Sequence, residues 1–180
     1  MKTLTLLRHA KSGWNDPVAR DFDRPLNAKG RRAAQRIGAY LREQHLRFDH
    51  VAASPAVRVV ETLEQLAEGS GAAINPAWDK RIYLASAMSL LDVIQESDDA
   101  YDDLLLVGHN PGLEDLVLML VPDQTGCDAR EQVEEKFPTA SIAQITFPVD
   151  RWEDVRANSG ELARFVRPRD LDPALGPDVE

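Results

Sequence analysis

Apolar residues fall in short runs separated by polar stretches, and the runs alternate between strand-like and helix-like spacing along most of the chain. Thr3 to Leu7 is a short run rich in Leu and Thr. It empties into the polar loop Lys11–Pro25, which holds Gly13, Pro17 and several charges, and so predicts a buried strand feeding a site. Asn27 reads as an N-cap, and Ala33, Ala34, Ile37, Tyr40 and Leu41 recur at helical spacing to about Gln44. His50–Ala53 predicts a second strand. Ser54-Pro55 then predicts a helix start, with Ser54 as cap and Pro55 in the first position. Val59, Leu63, Leu66 and Ala67 supply its buried stripe, and Gly69-Ser70-Gly71 ends it.

A turn and a short strand are predicted around Ala73–Ile82, and a helix from about Ala87 to Glu96. Asp98, Asp99, Asp102 and Asp103 read as a solvated acidic loop. Leu104–Val107 is the clearest buried strand, and Gly108-His109-Asn110-Pro111 turns into a helix carrying Leu113, Leu116, Val117 and Leu120. Val121–Pro138 is polar, a loop or an excursion with a short helix. Ala140–Phe147 and Leu162–Val166 predict two more strands. The tail Arg167–Glu180 holds three prolines and reads as frayed or loosely docked. Strands alternating with helices predict an α/β single-domain three-layer sandwich, with a mostly parallel sheet and helices on both faces. The domain spans 1–166 and the tail 167–180, with no internal repeat or linker.

At 180 residues, 43% hydrophobic and 28% charged, the chain can bury a core, which excludes general disorder. Lys and Arg total 21 against 30 Asp and Glu, a formal charge of −9, which argues against binding nucleic acid or anionic membrane. A small basic pocket remains compatible with that balance. Cys127 is the lone cysteine, so no disulfide framework or cysteine-based zinc site is expected, which fits a reducing cytoplasm. No apolar run is long enough to cross a membrane, and Arg8 and His9 arrive too soon for a signal-peptide core. The expectation is a cytoplasmic domain with nothing removed before folding.

Three strand-to-loop transitions deliver cationic or imidazole groups: Leu4–Leu7 to Arg8 and His9, Val51–Ala53 to Arg58, and Leu104–Val107 to His109. Ligands of α/β sheets bind outside the carboxyl ends of strands, so the three transitions are expected to share one crevice. Arg58 falls in a first helical turn, where a positive charge opposes the helix dipole unless an anion sits nearby. The alternative is a surface pair with Glu61 on the same face. His109 could hydrogen-bond an anion or carry a proton, or be a satisfied histidine at a strand end. His45 and His50 are assigned no chemistry. In Arg8-His9, a neutral imidazole can attack phosphorus while guanidinium groups neutralise the phosphoryl oxygens.

Together, Leu7-Arg8-His9-Ala10-Lys11-Ser12, Arg24-Pro25-Leu26-Asn27-x-x-Gly30, Ser54-Pro55-Ala56-Val57-Arg58-Val59-Val60-Glu61-Thr62, Val107-Gly108-His109-Asn110-Pro111 and Thr139-Ala140-Ser141-Ile142-Ala143 resemble the histidine phosphatase, or phosphoglycerate mutase-like, superfamily. Among its members they are most similar to the small phosphohistidine phosphatase branch typified by SixA. The resemblance implies that His9 is the phosphorylated nucleophile, with Arg8, Arg58 and His109 completing a phosphate pocket. Ser12 and Asn15 stand at offsets where larger members contact phosphate, and Arg24 at a place from which it could close the pocket. It implies a metal-independent phosphatase without a cofactor, acting on a phosphohistidine-bearing protein. The alternatives are a small phosphorylated substrate of the same superfamily or a non-catalytic phosphate- or phosphoprotein-binding module. Two departures stand out: Ala10 replaces the usual Gly, and the leaving-group acid of the mutases has no clear counterpart, Asp21, Asp23 and Asp79 being candidates. A missing acid favours leaving groups that need no added proton, phosphohistidine among them.

Overall fold

Lys2–Arg8 forms β1, near the middle of a six-stranded sheet. On one side it pairs in parallel with β4 (Asp103–Gly108), which pairs in parallel with β2 (His50–Ala53), and β2 with the short β3 (Ala77–Trp78). On the other side it pairs antiparallel with β5 (Ile142–Phe147), and β5 antiparallel with β6 (Glu161–Val166). The order is β3-β2-β4-β1-β5-β6, so the sheet is parallel except at its β5–β6 side. This computed structural model describes residues 1–13, 20–124 and 126–177.

The unbroken apolar runs of β1 and β4 follow from burial on both faces. Leu4, Leu6, Leu104 and Leu106 belong to one core with α3 (Ala87–Gln95), α4 (Gly112–Leu120) and α5 (Asp128–Glu135). Leu7, Leu105 and Val107 belong to the other, with α1 (Ala28–Glu43) and α2 (Val57–Ser70). The result is the expected three-layer α/β sandwich. Helices α1 and α2 approach so closely that a Cβ on Gly38 would fall 2.3 Å from the Leu66 carbonyl oxygen.

Three expectations change. Helix α2 begins later than Ser54-Pro55 suggests: its N-cap is Ala56, and Ser54 turns its hydroxyl towards His109. The acidic segment is not merely solvated. Asp99 accepts from the Trp152 backbone N–H, Asp98 from that of Ala100, and Asp102 pairs with the buried Lys2 ammonium. The tail is docked through Leu175. Pro168–Leu171 forms α6, whose N-terminus is closed by Asp170 accepting from the Arg167 backbone N–H at 2.9 Å, and a 3-10 turn follows at Pro173–Leu175. Pro168 is buried, and Leu171 and Leu175 pack on the core beside α1. Prolines here stiffen a capped turn rather than fray it. Among the described residues no helix is long and apolar enough to cross a membrane.

Candidate active site

Strands β1, β4 and β2 end flush. Arg8 is in register with Gly108 and Ala53 with Val107, so His9, His109 and Ser54 emerge side by side at the carboxyl edge. The His9 N–H donates to the Gly108 carbonyl at 3.1 Å, and the Ser54 N–H to the Val107 carbonyl at 3.1 Å. Helices α1 and α4, which follow β1 and β4 along the chain, lie on opposite faces of the sheet, and this divergence opens the crevice. The loop after His9 is fixed from behind. The Ala10 N–H donates to Thr62 Oγ1 at 2.9 Å, and the Thr62 hydroxyl donates to the Arg58 carbonyl at 2.6 Å. The Asn27 N–H donates to the Lys11 carbonyl, over which α1 passes so closely that a Cβ on Gly30 would lie 2.1 Å from that oxygen. The Asn27-x-x-Gly30 spacing thus supplies both a cap, with Asn27 Oδ1 accepting from the Gly30 N–H, and the clearance beside the loop.

Hydrogen-bond chemistry fixes both imidazole tautomers. A carbonyl can only accept, so the 2.7 Å contact of His9 Nδ1 with the Ala10 carbonyl makes Nδ1 the protonated nitrogen and leaves a lone pair on Nε2. Burial drives the His9 pKa down to about 3 against the lift of that carbonyl, with the charges of Arg8 and Arg58 adding to the fall. A guanidinium can only donate, so Arg58 Nη2, 3.2 Å from His109 Nδ1, leaves the His109 proton on Nε2, which donates to Ser54 Oγ at 2.8 Å. Burial and Arg58 together lower His109 to about 4. The two rings stand 5.2 Å apart. Both imidazoles are neutral near pH 7.

Arg58 is buried, and its partner is Asp21 rather than Glu61. Arg58 Nη1 donates to the Asp21 carbonyl at 2.8 Å and Nη2 to Asp21 Oδ2 at 3.0 Å. Glu61 instead accepts from the Leu26 N–H. Burial raises the Asp21 carboxyl, but hydrogen bonds from Tyr83 and Arg58 and the Arg58 charge outweigh it and hold the pKa at about 2. Arg8 donates to the Phe137 carbonyl at 3.0 Å. The Nε groups of Arg8 and Arg58 are buried without a hydrogen-bond partner among the described residues. Two unsatisfied guanidinium N–H groups beside a neutral imidazole lone pair are a standing demand for an oxyanion.

A family model for the histidine phosphatase superfamily (branch 1) matches residues 4–82. The uncharacterized protein Rv1276c of Mycobacterium tuberculosis is 34% identical over 165 residues, 91% of this chain and 100% of its own length. The uncharacterized protein ML1117 of Mycobacterium leprae is 33% identical over 167 residues, again 91% of this chain and 100% of its own. The chain belongs to the histidine phosphatase superfamily. Within the superfamily it is SixA-like. The SixA structure of Agrobacterium tumefaciens superposes with a TM-score of 0.75 at 28% identity, covering 93% of this chain and 98% of that one. That of Nakamurella multipartitia gives 0.79 at 26%, covering 93% and 96%. Membership supports phosphatase activity.

In this histidine phosphatase the remaining sequence candidates divide. Ser12 and Arg24 come together, Arg24 Nη1 donating to Ser12 Oγ at 2.7 Å, and Arg24 Nε reaches Asp21 Oδ1 at 3.0 Å. Asn15 lies outside the described residues. Asp23 pairs with Arg20. Asp79 caps the 3-10 turn Lys80–Ile82, and hydrogen bonds from Arg81 hold its carboxyl below the usual range. Tyr83 escaped the sequence reading. Its hydroxyl donates to Asp21 Oδ2 at 2.6 Å, and its ring stands edge-on to His109 at 5.3 Å. Ser54 and Thr62 were also missed as polar supports, although Ser54-Pro55-x-x-Arg58 and Thr62 stand in one motif. Among the described residues no group of three or more His, Cys, Asp or Glu is placed to hold a metal ion.

Proposed function

We propose that the protein hydrolyses phosphohistidine on a protein partner through a phospho-His9 intermediate, with Arg8, Arg58 and His109 binding the phosphoryl group. The observation that carries this reading is the fixed His9 tautomer: Nδ1–H is tied to the Ala10 carbonyl and Nε2 keeps its lone pair. In the first step the Nε2 lone pair forms a bond to phosphorus as the substrate N–P bond breaks. The bonding pair leaves with the substrate imidazole, which departs neutral because its other nitrogen carries a proton. In the second step water attacks phospho-His9, the Nε2–P bond breaks, and phosphate is released with the water's protons shared between product and solvent. Arg58 exchanges Asp21 for phosphoryl oxygens, and the open Nε–H groups of Arg8 and Arg58 take up the developing charge. Ser12 and Arg24 border this exchange, because Arg24 holds both Ser12 and Asp21.

The state of the carboxyls favours a nitrogen leaving group over an alkoxide. Asp21 is ionised well below neutrality, and Asp79 is locked on Arg81, so neither stands protonated to assist an alkoxide. A poised general acid contributes ~10²–10⁴-fold, and its absence penalises poor leaving groups by that order. The test is turnover of a phosphohistidine protein and phosphoramidate beside aryl and alkyl phosphates, with acid-labile phosphoenzyme trapped during turnover. Phosphohistidine and phosphoramidate are expected to exceed glycerol phosphate by ~10²-fold or more. Efficient alkyl phosphate hydrolysis would instead make the protein a small-molecule phosphomonoesterase. Tight phosphate binding with no turnover of any substrate would make it a binding module.

A further inference from the structure

The turn Gly108-His109-Asn110-Pro111 and the segment Thr139-Ala140-Ser141 carry residues that the phosphoryl chemistry does not use. Both converge on Arg8. Asn110 Nδ2 donates to the Phe137 carbonyl at 2.9 Å, and Arg8 Nη1 donates to the same oxygen at 3.0 Å. A carbonyl oxygen has two lone pairs, so one acceptor serves both donors. The orientation of the Asn110 amide is set at both ends. The Phe137 carbonyl can only accept and so takes Nδ2, while the Glu114 backbone N–H can only donate and so takes Oδ1, at 3.3 Å. The segment before β5 also grips Arg8 by its main chain. The Arg8 N–H donates to the Ser141 carbonyl at 3.2 Å, and the Ala140 N–H lies 3.0 Å from the carbonyl oxygens of both Arg8 and His9. Ala140 makes this contact while buried and at a φ of 59°, a left-handed conformation that costs an alanine free energy. The Phe137 ring is fully buried and stacks on Phe165, with centroids 5.5 Å apart.

We propose that Asn110 is a positioning residue for Arg8: its Nδ2–H holds the Phe137 carbonyl, and that carbonyl fixes where the Arg8 guanidinium presents its Nε–H to a phosphoryl group. It rests on the phosphohistidine reading for what Arg8 binds. The backbone of Arg8 is fixed by Ala140 and Ser141, but among the described residues the Phe137 carbonyl is the one hydrogen-bond acceptor of its side chain. A guanidinium held by one hydrogen bond swings about it, so the aim of Nε–H depends on how firmly that carbonyl stands. Asn110 follows His109 directly, on the loop after β4, whereas Phe137 precedes β5. One side chain thus ties the placement of His109 to that of Arg8 on neighbouring strand ends. Asparagine suits the task because it carries a donor and an acceptor on one short stem. Aspartate would set an acceptor against the Phe137 oxygen.

The experiment measures phosphate and vanadate affinity by calorimetry for wild type, Asn110→Ser, Asn110→Ala, Arg8→Ala and the double variant Arg8→Ala/Asn110→Ser. Serine keeps an oxygen able to accept from the Glu114 N–H but gives up the amide donor, and alanine gives up both contacts. Kd should rise ~3–10-fold in both Asn110 variants, the span of one ordinary hydrogen bond, with the urea midpoint falling in Asn110→Ala alone. On the Arg8→Ala background the effect of Asn110→Ser should shrink below ~2-fold, because the residue it acts through is gone. An equal loss on both backgrounds overturns the proposal. So does a loss confined to Asn110→Ala, which would make Asn110 a helix cap. The Arg8 Nε–H resonance, identified by its disappearance in Arg8→Ala, gives a second measurement. It should shift and broaden in Asn110→Ser, and an unchanged resonance overturns the proposal. None of these readings needs turnover. Absence of hydrolysis of every phosphorylated substrate would defeat the phosphohistidine reading, while the affinity cycle still decides the role of Asn110.

Discussion

Strand β1 carries a cation at each end, buried at Lys2 and half-buried at Arg8, and the two are treated in opposite ways. Lys2, 2% exposed, donates to the Asp99 carbonyl at 2.6 Å, the Tyr101 carbonyl at 2.8 Å and Asp102 Oδ1 at 3.0 Å. An ammonium has three N–H groups, so its demand is met in full, and Trp152 covers it at 5.7 Å. Among the described residues the Arg8 side chain, six residues on, makes one bond, to the Phe137 carbonyl, and its Nε is buried and unpaired, as is the Nε of Arg58 across the crevice. Burying charge is costly, and at Lys2 the fold recovers the cost within the chain. At Arg8 it does not. A satisfied buried cation is structural, whereas an unsatisfied one reserves its donors for something that arrives later.

The sharpest way to break this comparison is at the residue that the unsatisfied cations flank. His9→Ala should lower turnover by at least ~10³-fold and abolish the trapped phosphoenzyme, while circular dichroism and the unfolding midpoint stay close to wild type. The same substitution logic at the other end should reverse the outcome. Lys2→Ala leaves the Asp99 carbonyl and the Asp102 carboxylate without the ammonium, while the Tyr101 carbonyl keeps the Trp152 Nε1–H donor, and should cost about 1–3 kcal/mol in urea unfolding, with kcat of the folded enzyme unchanged. A Lys2 variant of normal stability, or one with impaired kcat, would erase the distinction drawn between the two ends.

The sequence made the strand-end groups legible because each stands directly after a short apolar run: Arg8 and His9 after Leu7, His109 after Val107 and Gly108. What it could not reveal are contacts that only the sheet order creates. The Arg58–Asp21 pair joins residues 37 apart, His109–Ser54 joins residues 55 apart, and Tyr83–Asp21 joins residues 62 apart. Asp21 was read as a candidate proton donor. In the folded chain it is the counter-anion of Arg58, a role visible only once the loop is laid over α2. Lys2 was illegible for the same reason, since its partners lie 97 to 100 residues away. Of the two readings of the tail, frayed or loosely docked, the structure shows docking through Leu175, because proline content signals fraying only when nothing caps the turn it begins, and Asp170 does so here.

Asp21 sharpens the comparison at a smaller scale, since it lends Arg58 a provisional partner. Asp21→Asn removes the charge from a carboxyl that is 40% exposed and sits on Arg58. Phosphate or vanadate should then bind ~3–10-fold more tightly, with kcat on phosphohistidine altered by less than ~2-fold. If Asp21 is instead a proton donor, kcat on alkyl phosphates collapses while anion affinity stays level. The ratio of those two effects decides between a counter-ion and an acid.

The smallest effect expected is on acid response, and its sign follows from the lowered histidines. His9 at about 3 and His109 at about 4 both lie below the 6.5 of an unfolded histidine. Between pH 6.5 and 4 the unfolded chain therefore binds protons that the folded chain refuses, so stability falls as pH falls through that window. Asp21, at about 2 against 3.8, adds a further loss only below pH 3.8. His9, the proposed nucleophile, stays neutral throughout the upper window, so kcat/KM for phosphoramidate should hold from pH 7 to 5 once corrected for the folded fraction. A titration near 6.5 in kcat/KM that vanishes in His109→Asn, and a urea midpoint flat from pH 7 to 4, would show that the imidazoles are solvated rather than held neutral. In that case the lone pair on His9 would be set by solvent pH and not by the Ala10 carbonyl.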